Sequence, residues 1–212
     1  MGHDWLKYYP ENIDTEVEIP EDLHIAGLIE STCRQYSGKI ALTCLGADLQ
    51  FKQYERLASE FASYLQNELG VKKGDRVAIM LPNVIQFPIA LFAAMKIGAV
   101  CVNTNPLYTA REMKHQFKDS GATTLLIMDL FLDKLEEIIG DTDIKNVVVT
   151  GIGDQLPTWK GLLIKTILKV KGMIPNHNLK VVPFKEAISI GANQTYQAPS
   201  FHLDDIAILQ YT

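Results

Sequence analysis

Cysteine is scarce in this sequence, with three residues among 212, and their spacing matches no metal-binding pattern. Cys33, Cys44 and Cys101 are odd in number and lie far apart, so the sequence does not indicate a framework of structural disulfides. Isolated cysteines of this kind are typical of a reducing compartment. The sequence therefore predicts free thiols and a cytoplasmic protein.

Positive charge is not in excess either. Lysine and arginine together number 20 against 25 aspartate and glutamate residues, which gives a net charge of −5. A nucleic-acid-binding chain needs a basic surface, so nucleic acid is not predicted as a partner. The fractions of apolar (47%) and charged (21%) residues are those of an ordinary globular protein.

Apolar runs of membrane-spanning length are also missing, with one near exception. Val84–Val102 carries Lys96 as its one charge, over a length close to the ~20 residues that a bilayer requires. Pro88 near the start and Gly98 near the end interrupt this run. The pattern favours a buried helix over Ile85–Ile97, followed by a turn and a strand, with a membrane span as the alternative.

The remaining patterns predict an α/β fold. Residues 1–24 are acidic, bounded by proline and without periodicity, which predicts an extended arm. A helix is expected from His24, and glycine between two short apolar runs predicts a small N-terminal hairpin over Ile40–Phe51. An amphipathic helix over Gln53–Leu69 follows, and Asn83 is expected to cap the next helix, paired with Gln86.

Strands and helices then alternate with short connections. The predicted strands are 76–81, 100–103, 124–128, 146–150, 180–184 and 206–211, and the predicted helices are 85–97, 110–120, 130–139 and 159–174. Alternation of this kind predicts a doubly wound, mostly parallel sheet. Strands that are apolar on both faces require helices on both sides of the sheet. The last strand, Ile206–Tyr211, is expected to be buried.

Motifs that carry chemistry are not evident. Gly151-Ile152-Gly153 follows a strand, but the third glycine of a dinucleotide fingerprint is absent and no helix is expected directly after it. His115 has charged neighbours one helical turn away on both sides, which favours a solvated histidine. The residues themselves therefore predict no catalytic group and no metal site.

A series of short motifs along Tyr54–Ala122 resembles the N-terminal region of the adenylate-forming enzymes. In order, these are GDRVA at 74–78, LPN at 81–83, ALF at 90–92, GA at 98–99, NTNPLYT at 103–109 and DSGA at 119–122. Each motif is weak alone, but the ordered series is specific. The NPLYT variant is similar to the bacterial long-chain-fatty-acid–CoA ligases rather than to amino-acid-activating modules.

The resemblance implies that residues 25–212 are the N-terminal α/β portion of an AMP-binding domain. In that family the last strand leads into a glycine-rich loop that wraps the phosphates of ATP, which makes Tyr211 and Thr212 the lead-in to that loop. The full-length enzyme would use ATP, Mg²⁺ and coenzyme A to convert a long-chain fatty acid into acyl-CoA, AMP and pyrophosphate through an acyl-adenylate. Its catalytic residues are expected beyond residue 212, so these 212 residues alone are expected to be inactive.

The loop after the strand at 100–103 is a candidate contributor to the acyl channel. Ligands of open α/β sheets bind outside the carboxyl ends of the strands. Asn105, Leu107 and Tyr108 are therefore candidate channel residues. In the alternative, the loop is a turn set by Pro106, and Leu107 and Tyr108 pack in the core.

The predicted helix over Trp159–Ile174 is basic and amphipathic. Trp159, Leu163, Ile167, Val170 and Ile174 share a stripe, with Lys160 and Lys171 at its edge and Lys165 and Lys169 roughly opposite. Such a helix can lie in a membrane interface, which would place the protein at the inner face of the cytoplasmic membrane. In the alternative, the stripe docks on the sheet.

Two other functions stay open on the sequence alone. The same fold could activate a different carboxylic acid, such as a medium-chain or aryl acid. From a different class, the chain could be a non-catalytic α/β binding or assembly module. Related ligases pair through their N-terminal domains, so a homodimer is also considered.

Overall fold

The N-terminal arm contains a short helix that the sequence did not indicate. The structure, a computed structural model, describes residues 4–14, 16–20 and 23–211. A 3-10 helix spans Asp4–Tyr8, within the segment predicted to be extended. It brings the rings of Trp5 and Tyr9 to 5.4 Å, a contact between residues one turn apart that an extended backbone cannot make.

The first regular elements agree with the predictions. Helix α1 (Ile25–Gln35) begins at His24, whose Nδ1 accepts a hydrogen bond from the Gly27 amide. Strands β1 (Ile40–Cys44) and β2 (Ala47–Gln50) form the hairpin, and helix α2 (Phe51–Asn67) follows at once. Both turn residues, Leu45 and Gly46, have positive φ, as a tight hairpin turn requires.

Six parallel strands form the main sheet of the described chain. They are β3 (Arg76–Met80), β4 (Val100–Asn103), β5 (Thr124–Met128), β6 (Asn146–Thr150), β7 (Val182–Pro183) and β8 (Ile208–Gln210). Their order is β7-β6-β5-β3-β4-β8, and each neighbouring pair is parallel. The predicted fold class, a doubly wound sheet with a small N-terminal hairpin, is confirmed.

Helices cover both faces of this sheet. They are α3 (Gln86–Lys96), α4 (Ala110–Ser120), α5 (Leu132–Ile138), α6 (Thr158–Val170) and α7 (Phe184–Gly191). Helices α1, α2, α3 and α7 pack in one hydrophobic core, and α4 and α5 pack in the other. The four residues from Leu125 to Met128 in β5 alternate between the two cores, which explains why all four are apolar.

The apolar run at 84–102 is a buried helix, a turn and a strand, as predicted. Gly98 makes the turn with φ +68°. Strand β4 follows this turn and pairs in parallel with β3, from Arg76↔Val100 to Ile79↔Asn103. In the described part of the chain, no helix combines the length and apolar character needed to cross a membrane.

Two elements near the C-terminus differ from the predictions. The strand expected over 180–184 is only Val182–Pro183, and α7 begins immediately after it. Proline lacks the amide hydrogen that would continue the strand pairing, and its fixed φ suits the position before a helix. Phe184, Ala187 and Ile188 are all buried, and their spacing is the helical signal for α7 in the sequence.

Strand β8 lies in the sheet, but the prediction that it is buried is wrong. It pairs with β4 from Cys101↔Ile208 to Asn103↔Gln210 and is the edge strand of the described sheet. Ile208 is 41% exposed as a result. Apolar composition therefore identified the strand correctly, whereas its position at the sheet edge determined its exposure.

Candidate functional site

The candidate residues lie together at the carboxyl ends of the parallel strands. From β3 the chain passes to β4 on one side, and from β4 it returns past β3 to β5 on the other side. Ligands of open α/β sheets bind in the crevice at such a reversal of strand order. The crevice here lies between the ends of β3 and β5.

The loop after β4 is held by its own side chains. Asn105 Oδ1 accepts a hydrogen bond from the Leu107 amide at 2.9 Å, and the Asn105 carbonyl accepts one from the Tyr108 amide at 3.1 Å. Leu107 is 83% exposed, whereas Tyr108 is half-buried against the core formed with α4 and α5. The three predicted channel residues therefore have different environments, and the alternative that Leu107 packs in the core is wrong.

The start of α4 fixes where this loop ends. Thr109 and Glu112 form a capping box, in which Glu112 Oε2 accepts from the Thr109 amide at 2.8 Å. This hydrogen bond from the Thr109 backbone, together with that from its hydroxyl, lowers the pKa of Glu112. Lys134 Nζ also donates to the Tyr108 carbonyl at 3.0 Å, so the loop is tied to α5 as well.

Tyr211 anchors the chain where it leaves β8. Its hydroxyl donates to Asp119 Oδ2 at 2.6 Å, which joins the strand end to α4. Partial burial and the hydrogen bond to Asp119 raise the pKa of Tyr211 to about 12. Thr212, the other predicted lead-in residue, lies outside the described residues.

Two carboxylates for which the sequence predicted no role meet near the crevice. Asp129 follows β5, and Asp154 lies in the turn after β6. A Cβ placed on Gly151 would lie 3.1 Å from Asp129 Oδ2 and 3.6 Å from Asp154 Oδ1, so both side chains approach this glycine. Burial raises the pKa of Asp129 to about 6, and the charge of Asp154 contributes to the shift.

Asp154 is held in place by the turn itself. Its Oδ2 accepts hydrogen bonds from the Gly151 amide at 2.8 Å and from Thr150 Oγ1 at 3.0 Å. Gln86 Nε2 in turn donates to Thr150 Oγ1 at 3.1 Å and to the Gly151 carbonyl at 2.9 Å. Gln86 is therefore buried in this network and does not form the predicted capping pair with Asn83; the N-cap residue of α3 is Ile85.

A cleft of about 520 Å³ adjoins Asp129 and Asp154, with α6 forming one wall. Most of its walls are apolar, but Asp129 Oδ1 and His177 Nδ1 are buried and lack a hydrogen-bond partner among the described residues. An unpaired carboxylate oxygen can accept a hydrogen bond from a ligand or attract a cation. No group of three potential metal ligands (His, Cys, Asp or Glu) occurs within the described ranges.

Helix α6 contacts the body of the protein through a glycine. A Cβ on Gly161 would come within 2.5 Å of the Gly153 carbonyl oxygen, so backbone meets backbone there. Ile164, one turn further along, packs against the core. None of the residues of α6, all of which the structure describes, is buried.

The predicted apolar stripe of α6 faces away from the protein. Trp159 is 66% exposed, and Leu163, Ile167 and Val170 are exposed as well. The alternative in which this stripe docks on the sheet is therefore wrong, because Gly161 and Ile164 occupy the docking side. Ile174 differs from the rest of the stripe, since it lies beyond the end of α6 and is half-buried.

The four lysines predicted to lie at the membrane interface have different surroundings. Lys160 Nζ lies 5.5 Å from the centre of the Trp159 ring, and it would lie 3.2 Å from a Cβ on Gly46 in the hairpin turn. Lys165 lines the cleft, where its charge lowers the pKa of Asp129 and so partly offsets the effect of burial. Lys169 and Lys171 are exposed.

Comparison with known proteins identifies related sequences along nearly the whole chain. A family model described as AMP-binding enzyme matches residues 29–212. The long-chain-fatty-acid–CoA ligase of Escherichia coli O157:H7 is 38% identical over 98% of this chain and 37% of its own length. The enzyme of the same description from Bacillus subtilis (strain 168) is 30% identical over the same shares of both chains. The chain thus spans 37% of the length of these curated relatives.

Solved structures share the fold at lower identity. An anthranilate CoA ligase in complex with anthranoyl-AMP superposes with a TM-score of 0.74 and 21% identity, covering 92% of this chain and 33% of that one. A long-chain-fatty-acid–CoA ligase from Archaeoglobus fulgidus has a TM-score of 0.68 and 19% identity, covering 93% of this chain and 36% of that one.

Proposed function

The chain belongs to the AMP-binding enzyme family, and on this premise we propose that the full-length protein is an ATP-dependent long-chain fatty acid–CoA ligase. The observation that carries the proposal is 38% identity along 98% of the chain to a protein described as a long-chain-fatty-acid–CoA ligase. The NPLYT sequence of the loop after β4, on which the resemblance to this branch rests, supports the same substrate class.

The proposed reaction has two steps. A fatty carboxylate attacks the α-phosphate of ATP, so that pyrophosphate leaves and an acyl-adenylate forms. The thiol of coenzyme A then attacks the acyl carbon, and AMP leaves as the thioester forms. Mg²⁺ would neutralise charge on the phosphates in the first step. We assign no catalytic or metal-binding role to a residue described here.

Within this reaction, we assign residues 25–212 the role of the N-terminal α/β portion of the AMP-binding domain, preceded by an arm over residues 1–24. The parallel pairing of β8 with β4 and the tether of Tyr211 to Asp119 set the direction in which the chain leaves the sheet. Tyr211 and Thr212 would thereby direct the phosphate-binding loop towards the nucleotide.

The loop after β4 is proposed to border the acyl channel through Asn105, Leu107 and Tyr108. Leu107 supports this role, since it is a large apolar side chain left 83% exposed at the ligand-binding edge of the sheet. Asn105 would act indirectly, because its side chain holds the turn that presents Leu107.

The direct test is an assay of the purified full-length protein with ATP, Mg²⁺, coenzyme A and palmitate. We expect pyrophosphate release that requires palmitate, and palmitoyl-CoA formation that requires coenzyme A. The 212-residue chain assayed alone should form no acyl-adenylate. Absence of ATP-dependent acyl-CoA formation by the full-length protein with every fatty acid tested would refute the proposal.

A second candidate is the same reaction with a different acid. A relative from Mycolicibacterium smegmatis, 34% identical over 62% of this chain, is described as a medium/long-chain-fatty-acid–CoA and 3-oxocholest-4-en-26-oate–CoA ligase. Competition between palmitate, octanoate and an aryl acid in one assay separates the candidates. Preferential use of octanoate or the aryl acid would favour this second function.

For its location, we propose a cytoplasmic protein that contacts the inner face of the cytoplasmic membrane, where long-chain fatty acids partition.

For its assembly, we propose a homodimer formed through this region. Sedimentation velocity of the full-length protein should give a concentration-dependent dimer, and a monomer at all concentrations would contradict it.

A further inference from the structure

Helix α6 presents a continuous apolar face to solvent. Leu162 is exposed alongside Trp159, Leu163, Ile167 and Val170, and Met173 extends the face beyond the helix end. At about 100° per residue, these six side chains occupy one side of the helix. Isolated exposed apolar residues are normal on a protein surface, but a contiguous face of this kind indicates an interaction site.

Helix α6 cannot rotate about its axis to pack its apolar face against the protein. The contact between Gly161 and the Gly153 carbonyl leaves no room for a side chain, and Ile164 lies on the same side as Gly161. Rotation of the helix to bury Trp159 and Leu163 would place large side chains where backbone now meets backbone. The apolar face is therefore a fixed part of the exterior of the described structure.

Three of the four lysines border the apolar face, and they lie along both of its edges. At the same helical spacing, Lys160 and Lys171 lie along one edge, and Lys169 lies along the other. Lys165 lies further round the helix, where it lines the cleft. The segment from Lys145 to Lys185 contains seven lysines and a single acid, Asp154, in a chain whose net charge is −5. Long lysine side chains can cover an apolar surface and keep their charge at its margin. The charge pattern thus complements an anionic surface.

The tip of the β1–β2 hairpin adjoins this face. Leu45 is an exposed, branched residue with φ +51°, a conformation that costs energy in any residue other than glycine. The neighbouring Gly46 approaches Lys160, which places the tip beside the N-terminal end of α6. Leu45 therefore adds an exposed apolar side chain at the hairpin tip, beside this end of the helix.

We propose that this surface, made of the exposed face of α6 and the hairpin tip at Leu45, docks the protein on an anionic lipid bilayer. The helix would lie parallel to the bilayer plane, with its apolar face below the headgroups and its lysines among them. The surface is identified independently of any activity, but its use rests on the proposed function, since docking would bring the enzyme to the phase that holds its fatty-acid substrate.

Flotation of the full-length protein with liposomes tests the proposal, using Val170→Glu as the main variant. The matched control is Val17→Glu, because Val17 in the N-terminal arm is 84% exposed and Val170 is 82% exposed. We expect the wild type and V17E to float with vesicles containing phosphatidylglycerol, their partition coefficients agreeing within about twofold. V170E should partition at least tenfold more weakly, and L163E should behave in the same way.

Vesicles of phosphatidylcholine alone should bind the wild type at least tenfold more weakly than anionic vesicles, since the lysines would then lack their partner. The proposal is overturned if the wild type does not float, as when another part of the protein covers α6, or if V170E floats as well as V17E. Equal binding to both vesicle types would overturn the anionic specificity.

An assay without vesicles separates this inference from the proposed function. With a monomeric, water-soluble fatty acid, V170E and the wild type should form acyl-CoA at equal rates. If neither forms acyl-CoA, the proposed function fails while the flotation result still decides whether the surface binds lipid.

Discussion

Lys96 and Tyr196 are one hundred residues apart in sequence, yet Lys96 Nζ donates a hydrogen bond to Tyr196 Oη at 3.1 Å. Tyr196 belongs to the long connection between α7 and β8, which crosses from one edge of the sheet to the other. The contact therefore holds this connection against α3 and helps to position the strand at the far edge.

Lys96 is fully buried and joins four segments of the chain. Besides Tyr196, its Nζ contacts Glu30 of α1 and, at 3.1 Å, Glu55 of α2. Burial alone would lower the pKa of Lys96, but hydrogen bonds to Glu30 and Tyr196 outweigh burial and raise it. The buried charge is thus matched by partners, as a buried lysine requires.

Replacement of Lys96 by methionine should destabilise the chain. The substitution keeps the side-chain length but leaves Glu30 and Glu55 without their cation, and loss of one partner of a buried ion pair typically costs about 3 kcal/mol. Urea unfolding followed by circular dichroism measures the effect. Lys180→Met, at an exposed lysine, is the control and should change the free energy of unfolding by less than about 0.5 kcal/mol.

Gly191→Ala should be strongly destabilising. A Cβ at this position would lie 1.8 Å from the Glu60 carbonyl oxygen, so α7 and α2 would have to move apart. Overpacking of this kind costs about 1–3 kcal/mol and more where backbone is the obstacle. Gly38→Ala is the control, since no atom lies within 4 Å of a Cβ there. Similar unfolding midpoints for the two variants would contradict the close packing of α2 and α7.

Asp129→Asn should stabilise the chain at neutral pH. Burial raises the pKa of Asp129 from 3.8 to about 6, so the folded state binds its proton more tightly than the unfolded state. Stability should therefore fall as pH rises from about 4 to about 6 and stay constant above that range. Because the side chain is partly solvated, screening reduces the expected gain in the variant to about 1 kcal/mol at pH 7.5.

Thermal unfolding of D129N and the wild type between pH 3.5 and 8 tests whether the substitution stabilises the chain as pH rises. The difference in the free energy of unfolding should be greatest above pH 6 and vanish near pH 4. Asp143→Asn, at an exposed aspartate, should show no such trend. A D129N variant that is less stable than the wild type at pH 7.5 would mean that the carboxylate has a partner that compensates its burial.

Leu107→Ala should alter chain-length preference in the full-length enzyme without altering stability. The side chain is exposed, so its truncation removes little buried surface, whereas half-buried Tyr108 would lose packing on replacement by alanine. We expect the ratio of kcat/KM for palmitate to that for octanoate to change at least threefold in L107A. Tyr108→Ala should shift the same ratio, at a cost of about 1–2 kcal/mol in stability.

The control for this pair of variants is Leu203→Ala. Leu203 is an exposed leucine that precedes β8, so it lies at the amino ends of the strands, whereas the loop after β4 lies at their carboxyl ends. Its ratio should equal that of the wild type. An unchanged ratio in both L107A and Y108A would remove the loop after β4 from the acyl channel.

Local sequence pattern was sufficient for most of the sheet. Strands β4, β5 and β6 have the predicted bounds, and so does α4, because apolar runs bounded by glycine, asparagine or a capping threonine carry both the type of element and its ends. The predictions were wrong where the sequence pattern is weak: β7 is only two residues long, and α7 was not predicted at all.

The candidate site was predicted only in part. The loop after β4 could be placed at the carboxyl edge from the strand pattern alone. The approach of Asp129 to Asp154 could not, because it depends on β5 and β6 being neighbours and on the turn at Gly151. The signal that could have identified the pair is an aspartate shortly after each strand: Asp129 directly after β5, and Asp154 four residues after the end of β6.

The sequence by itself determined most of the helices and strands, and therefore the doubly wound fold, because these depend on periodicity between near neighbours in the chain. Only the tertiary structure decided which side of α6 faces solvent, that β8 lies at an exposed edge, and that Lys96 is buried among partners. Burial depends on residues distant in sequence, such as Gly153 for α6 and Tyr196 for Lys96, and no local pattern encodes those contacts.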